Sequence, residues 1–156
     1  MATARIERII ATLKSSAELS YDGAGACASF SIVDGIGVKS YNSAMARDCH
    51  YGEQKRLAAL GLAPFVDGCV DYVDSTGTPK YAYLSGLADS VASDVYNGFW
   101  PHSLRGAESD RAKCESDREA LRTELFDRAG YSWVDDHNGN WGYVNGRPVL
   151  IDTSGY

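Results

Sequence analysis

The chain has 156 residues, 44% of them apolar and 23% charged, with a formal net charge of -6. That length fits one domain with an ordinary core. The acidic balance excludes a general nucleic-acid surface, which needs clustered Lys and Arg, yet leaves room for one phosphate-rich small molecule at a locally basic spot. No apolar run approaches the roughly 18 residues of a membrane span, and MATARIERIIATLK lacks the long apolar stretch of a signal peptide. Cys27, Cys49, Cys69 and Cys114 form no CxxC pair, and no His stands at zinc-finger spacing, so free thiols in a reducing cytoplasm are expected.

In chain order, Ile6, Ile9, Ile10 and Leu13 recur at helical spacing, which predicts an amphipathic helix within 1–16 that packs on the domain. Phe30, Ile32, Ile36, Val38 and Tyr41 then fall in short apolar runs around Asp34-Gly35, a strong hairpin signal. Residues 18–41 therefore read as strand, glycine-rich turn, strand, tight turn, strand. Residues 42–60 read as a helix, capped by Asn42 or Ser43 and ended by Gly61. Its apolar stripe is Met45, Cys49, Leu57 and Leu60, and Glu53 lies within that stripe. A carboxylate on a core-facing line is costly unless a cation meets it.

CVDYV (69–73) and KYAYL (80–84) flank DSTGTP, a second hairpin with a longer loop. Residues 87–106 give a mixed pattern with no assignable element. Residues 107–129 read as a charged helix, with Leu121, Leu125 and Phe126 facing inward and Gly130 as its stop. Trp100 and Trp133 are expected in the core, and His50 and His102 at the surface rather than as ligands. Strands come first and helices later, so the fold class is α+β.

The last stretch, WVDDHNGNWGYVNGRPVLIDTSGY (133–156), is dense in acids and amides. Asn145-Gly146 predicts a two-residue turn. Counting back from it sets Asn140 against Ile151 at the hairpin's open end, beside Asp152. Ideal pleating points Asn140 and Asp152 to opposite faces, so convergence on one ion requires the chain to leave strand geometry there. A calcium loop starting at Asp136 fails, because its sixth position is Trp141 and its twelfth Arg147. There is no Gly-Lys-Ser/Thr phosphate loop.

Asp135-x-His137-x-x-Asn140, a hairpin, then Leu150-Ile151-Asp152 resembles the catalytic core of kinase-like phosphotransferases. DDHNGN, NG and RPVLID are most similar to the early Ser/Thr protein kinases of short-tailed phages, and more distantly to aminoglycoside-phosphotransferase-like kinases. The resemblance covers roughly 19–156 and implies a minimal kinase-like fold. That fold would comprise an N-terminal helix (1–16), an N-lobe (17–86) and a reduced C-lobe (87–156). It implies ATP with Mg²⁺ or Mn²⁺ as cofactors, and Ser/Thr of host proteins as acceptors in the host cytoplasm, with no nucleic-acid or membrane partner.

By the same resemblance Asp135 orients the acceptor hydroxyl, Asn140 and Asp152 hold the metal, and His137 braces the loop. Lys39, at the end of the third strand, meets the nucleotide phosphates with Glu53 as its partner. Gly23 and Gly25 stand where the glycine-rich loop belongs. YAYLSGLADS (81–90) stands at the hinge, with backbone near Ser85 to Leu87 reading adenine. Three departures accompany this. Asp152-Thr153-Ser154 replaces Asp-Phe-Gly, and Ala26, Cys27 and Ala28 stand near the place of the third loop glycine. The sequence runs four residues past Asp152, so no activation segment or helical peptide platform is expected. The alternative is a kinase-fold chain that binds and regulates a host protein with weak or no catalysis.

Overall fold

The computed structural model describes residues 2–15, 21–24, 28–92, 100–101, 108–134 and 140–153. Its elements run α1 (Ala2–Ser15), β1 (Tyr21–Ala24), β2 (Ala28–Val33), β3 (Ile36–Tyr41), α2 (Ala44–Ala59), β4 (Val66–Val73) and β5 (Pro79–Ser85). They continue with β6 (Asp89–Ala92), β7 (Trp100–Pro101), α3 (Glu108–Ala129), β8 (Trp141–Val144) and β9 (Arg147–Leu150). The α+β class is thus observed. The chain divides into two compact units, Met1–Gly52 with Val66–Leu87, and Glu53–Phe65 with Ala88–Ser154. The crossing after Leu87 lies one residue from the expected boundary, but the end of α2 and the loop after it belong to the second unit.

The first unit is an antiparallel sheet in the order β1-β2-β3-β5-β4. Asp34 (φ 53°) and Gly35 (φ 74°) form the tight turn that joins β2 to β3. Their paired positive φ values match the right-handed twist of the flanking strands. As the helical spacing predicts, Ile9 and Leu13 of α1 are buried, packing with Val33, Ile36, Val38, Val70, Ala82 and Leu84. Each large apolar side chain so buried contributes about 1.5–3 kcal/mol. Arg5 and Arg8 approach the Asp34 carboxylate at 3.8 and 3.6 Å, fastening α1 to the turn. β4 lies at one edge of the sheet, where a register shift between Val66 and Cys69 and the carboxylates of Asp67 and Asp71 blunt further pairing.

Ser43 caps α2, its Oγ accepting the Ala46 N–H at 3.4 Å. The expected apolar stripe is corrected in its first half: Met45 is 77% exposed and Cys49 is exposed. The inward positions go instead to Arg47 and Gln54, followed by Leu57. Polar groups tolerate burial there because they are satisfied. Arg47 donates to Asp48 (2.6 Å), Asp71 (2.7 Å) and the Ala82 carbonyl (3.1 Å). Burial lowers the Arg47 pKa, but the bonds to Asp71 and Asp48 outweigh it and leave the pKa above its ordinary value. Gln54 donates to the Pro64 carbonyl at 3.0 Å.

The second unit packs Leu57, Leu62, Cys114, Leu121, Leu125, Trp133, Trp141 and Leu150 into one core. Leu121 and Leu125 face inward as expected, but Phe126 is 63% exposed. Cys114, Leu121 and Leu125 define the stripe by their spacing of seven and four, and Phe126 is rotated about 100° out of it. The sheet order is β7-β6-β8-β9. β6 and β7 were illegible in 87–106 because strands of four and two residues show no period. Tyr143 donates to Asp117 at 2.8 Å, and burial, then this bond, raises its pKa well above the usual tyrosine value.

Two helices of this unit end in reciprocal caps. At the end of α2, Gly61 (φ 72°) donates to Ala58 and Leu62 to Leu57, a Schellman arrangement. Arg128 of α3 donates to the Leu60 carbonyl at 3.0 Å, and Arg56 of α2 donates to the Ala129 carbonyl at 2.6 Å. Each helix therefore places a cation on the other's negative end.

Candidate functional site

In β3, alternation puts Ile36, Val38 and Ser40 on one face and Gly37, Lys39 and Tyr41 on the other. The first set belongs to the α1 side, where Ile36 and Val38 join the apolar core. The second carries Lys39, 5% exposed, opposite Tyr83 of β5. The Lys39 Nζ lies 5.7 Å from the Tyr83 ring centroid, a cation–π contact worth about 0.5–2 kcal/mol. Tyr83 in turn meets Tyr41 at 6.1 Å and Tyr51 edge-on at 5.6 Å. His50, expected at the surface, is half-buried and stacks on Tyr41 at 4.8 Å. His102 lies outside the described residues.

Gly23 belongs to β1, in register with Phe30 after a bulge. Gly25 lies outside the described residues, as do Asp135 and His137. Phe30 closes over Gly37, where an added Cβ would come within 2.7 Å of the ring, so this backbone position admits glycine alone without a shift of the phenyl group. Ser85 ends β5, buried, with its Oγ donating to the Gly86 carbonyl at 3.0 Å. Leu87, 40% exposed, is the last residue of the first unit's segment.

Glu53 does not lie on a core-facing line, since Met45 and Cys49 beside it are exposed, yet it has a cationic partner. Arg56 grips its carboxylate with two bonds, Nε to Oε2 at 3.1 Å and Nη2 to Oε1 at 2.6 Å. The bonds to Glu53, against a smaller opposing effect of burial, hold the Arg56 pKa above its ordinary value. Glu53 belongs to the second unit and Lys39 to the first.

The terminal hairpin forms at the expected place. Asn145 (φ 51°) and Gly146 (φ 77°) turn the chain, and the register runs Val144 with Arg147 down to Trp141 with Leu150. At its open end the ladder gives way, and the Asn140 carbonyl accepts two N–H groups, from Ile151 at 2.7 Å and from Asp152 at 3.4 Å. The backbone thus brings Asn140 and Asp152 together outside regular strand geometry. Asn140 is buried and Asp152 exposed. The hairpin is fixed beneath by the Leu150 N–H, which donates to the Leu62 carbonyl at 2.8 Å.

No group of three or more His, Cys, Asp or Glu side chains that could hold a metal occurs among the described residues. One carboxylate beside one amide does not suit zinc, which takes three or four protein ligands. It does suit Mg²⁺, which keeps several waters and takes one or two carboxylates plus phosphate oxygens. The Asp152 side chain is exposed, which leaves it open to such a role. Cys49, Cys69 and Cys114 are in no disulfide among the described residues, the last being buried, and Cys27 lies outside the described residues.

Sequence reasoning missed Arg56, whose grip on Glu53 was signalled by the spacing of three within one helix. It also missed the cleft at the end of α3, lined by Phe126, Tyr131 and Trp133, whose signal was an aromatic cluster around Gly130. Trp133 is in the core as expected; the Trp100 side chain lies outside those described. Among the described residues no helix is long and apolar enough to cross a membrane. Comparison with models of known protein families and with curated proteins gives no match.

Proposed function

We propose that the chain is an ATP-dependent phosphotransferase of kinase-like type, acting on Ser/Thr of host proteins. The observation that carries this reading is the hairpin mouth, where one carbonyl gathers the N–H groups of Ile151 and Asp152 and sets Asn140 beside Asp152. The burial of Lys39 on the third strand of an antiparallel sheet supports it. In this reading Asp135 orients the acceptor hydroxyl and takes up its proton, Lys39 meets the α- and β-phosphates, and Asn140 with Asp152 ligates Mg²⁺. The ion, when bound, supplies charge neutralisation at the phosphate oxygens. Backbone near Ser85 and Leu87 reads the base, and the segment of Gly23 and Gly25 covers the phosphates.

The test is transfer from labelled ATP with Mg²⁺ or Mn²⁺. Autophosphorylation or transfer to a host extract is expected, and Asp135→Asn should lower it about 10²–10⁴-fold, the usual share of a positioned acid–base group. An unchanged signal in that variant, or none in the wild type, overturns the reading. A second reading, a kinase-fold chain that binds a host protein with weak catalysis, is favoured by one observation. The Glu53 carboxylate, wanted by Lys39 in an active enzyme, is held by Arg56. ATP binding by calorimetry without measurable transfer would select it.

A further inference from the structure

The second unit carries a cleft of about 420 Å³ between the outward face of α3 and the segment that leaves it. Arg122, Phe126, Asp127, Tyr131 and Trp133 line it. Its size is that of small-ligand and side-chain pockets. Tyr131 and Trp133 are largely buried and make its apolar lining, while Phe126 offers a ring that is 63% exposed.

The charges on this surface are unequal in what they have left to offer. Arg122 is spent: its Nη1 donates to the Trp133 carbonyl at 2.9 Å, and its Nε lies 3.5 Å from Glu119. Arg128, next along the helix, gives itself to Leu60 and Glu124. Asp127 is exposed and has no partner among the described residues. Among the described residues the lining therefore presents one carboxylate without an ion-pair partner, Asp127, beside aromatic rings, on a chain of net charge -6. The same wall already accommodates a guanidinium, since Arg122 sits 5.4 Å from the centroid of Trp133.

We propose that this cleft docks an extended segment of a partner protein that carries an arginine or lysine beside an apolar side chain. The cation faces Asp127 and the exposed Phe126 ring, and the apolar neighbour covers the rest of that ring. The proposal rests on this cleft alone and needs no phosphotransfer.

The full chain, without nucleotide, is titrated into fluorescein-labelled peptides identical except for a central Arg, Gln or Glu flanked by leucines, and anisotropy is read. The Arg peptide should bind about fivefold tighter than the Gln peptide and the Glu peptide weakest, an order set by charge complementarity. Asp127→Lys should reverse that order, and Phe126→Ala should weaken all three by about fivefold, as loss of an aromatic anchor does. Both side chains are exposed, so the variants are expected to fold, and thermal melts by circular dichroism check it. Equal affinity for the three peptides, no binding by any, or an order unchanged in Asp127→Lys overturns the proposal.

Discussion

The molecule contains two hairpins built on the same rule that come to different ends. Asp34-Gly35 and Asn145-Gly146 have nearly equal backbone angles, φ 53° and 74° against 51° and 77°. Beyond the first turn the ladder runs unbroken through six residue pairs, from Val33 with Ile36 to Ala28 with Tyr41. Beyond the second it runs through four and then opens, so that Asn140 takes two N–H groups on one carbonyl. A turn therefore fixes register for its own strands, and backbone groups are shared anew where the ladder stops. Regular pairing occupies the backbone and alternates side chains to opposite faces. A break is what lets neighbours on opposite strands leave opposite faces.

The sharpest test of that contrast is to strip a carboxylate from each hairpin. On the proposed reading, Asp152→Ala should lower phosphotransfer by about 10²-fold or more, since a metal ligand there would support several kcal/mol of charge stabilisation. Its melting temperature should stay near that of the wild type, because the side chain is exposed. Core truncation should treat the two hairpins alike: Ile36→Ala and Leu150→Ala, both nearly fully buried, should each cost about 2–5 kcal/mol in chemical denaturation.

Gly35→Ala and Gly146→Ala should also match, each costing about 1–2 kcal/mol, because an alanine at positive φ is strained. An added Cβ meets nothing within 4 Å at either site, so no steric term separates them. A large difference between the two would show that the turns are not equivalent. Alkaline pH should distinguish them instead. The Tyr143 pKa is raised in the folded state, so its contribution is present below the ordinary tyrosine value of about 10 and is lost as pH rises beyond it. Thermal melts across that range should show the loss, and Tyr143→Phe should flatten it. The smallest effect is expected of Asp34→Asn, which keeps the turn and weakens only exposed contacts to Arg5 and Arg8, a change below about 1 kcal/mol.

What was readable in the sequence follows the same division. Turn chemistry and helix stops are local, so Asp34-Gly35, Asn145-Gly146, Gly61 and Gly130 fell where expected. The backbone meeting of Asn140 and Asp152 followed from counting along a hairpin whose turn was known. The inward face of α2 was not readable, because Arg47 and Gln54 earn burial through Asp71, Ala82 and Pro64, which no local pattern announces. Phe126 was misplaced by treating two adjacent apolar residues as sharing one face. β6 and β7 are held by pairing with strands elsewhere in the sequence or by each other, not by a pattern of their own.

The reciprocal caps bear directly on how mutants of this protein are to be interpreted. Glu53 holds Arg56, and Arg56 caps α3 through the Ala129 carbonyl. Removing the Glu53 carboxylate therefore frees a guanidinium and loosens a helix end, whatever else that carboxylate does. A drop in activity after Glu53→Ala would conflate catalysis with a melted joint. Arg56→Gln supplies the missing control. It breaks the joint and leaves the carboxylate in place, so the difference between the two variants isolates whatever Glu53 does beyond holding Arg56.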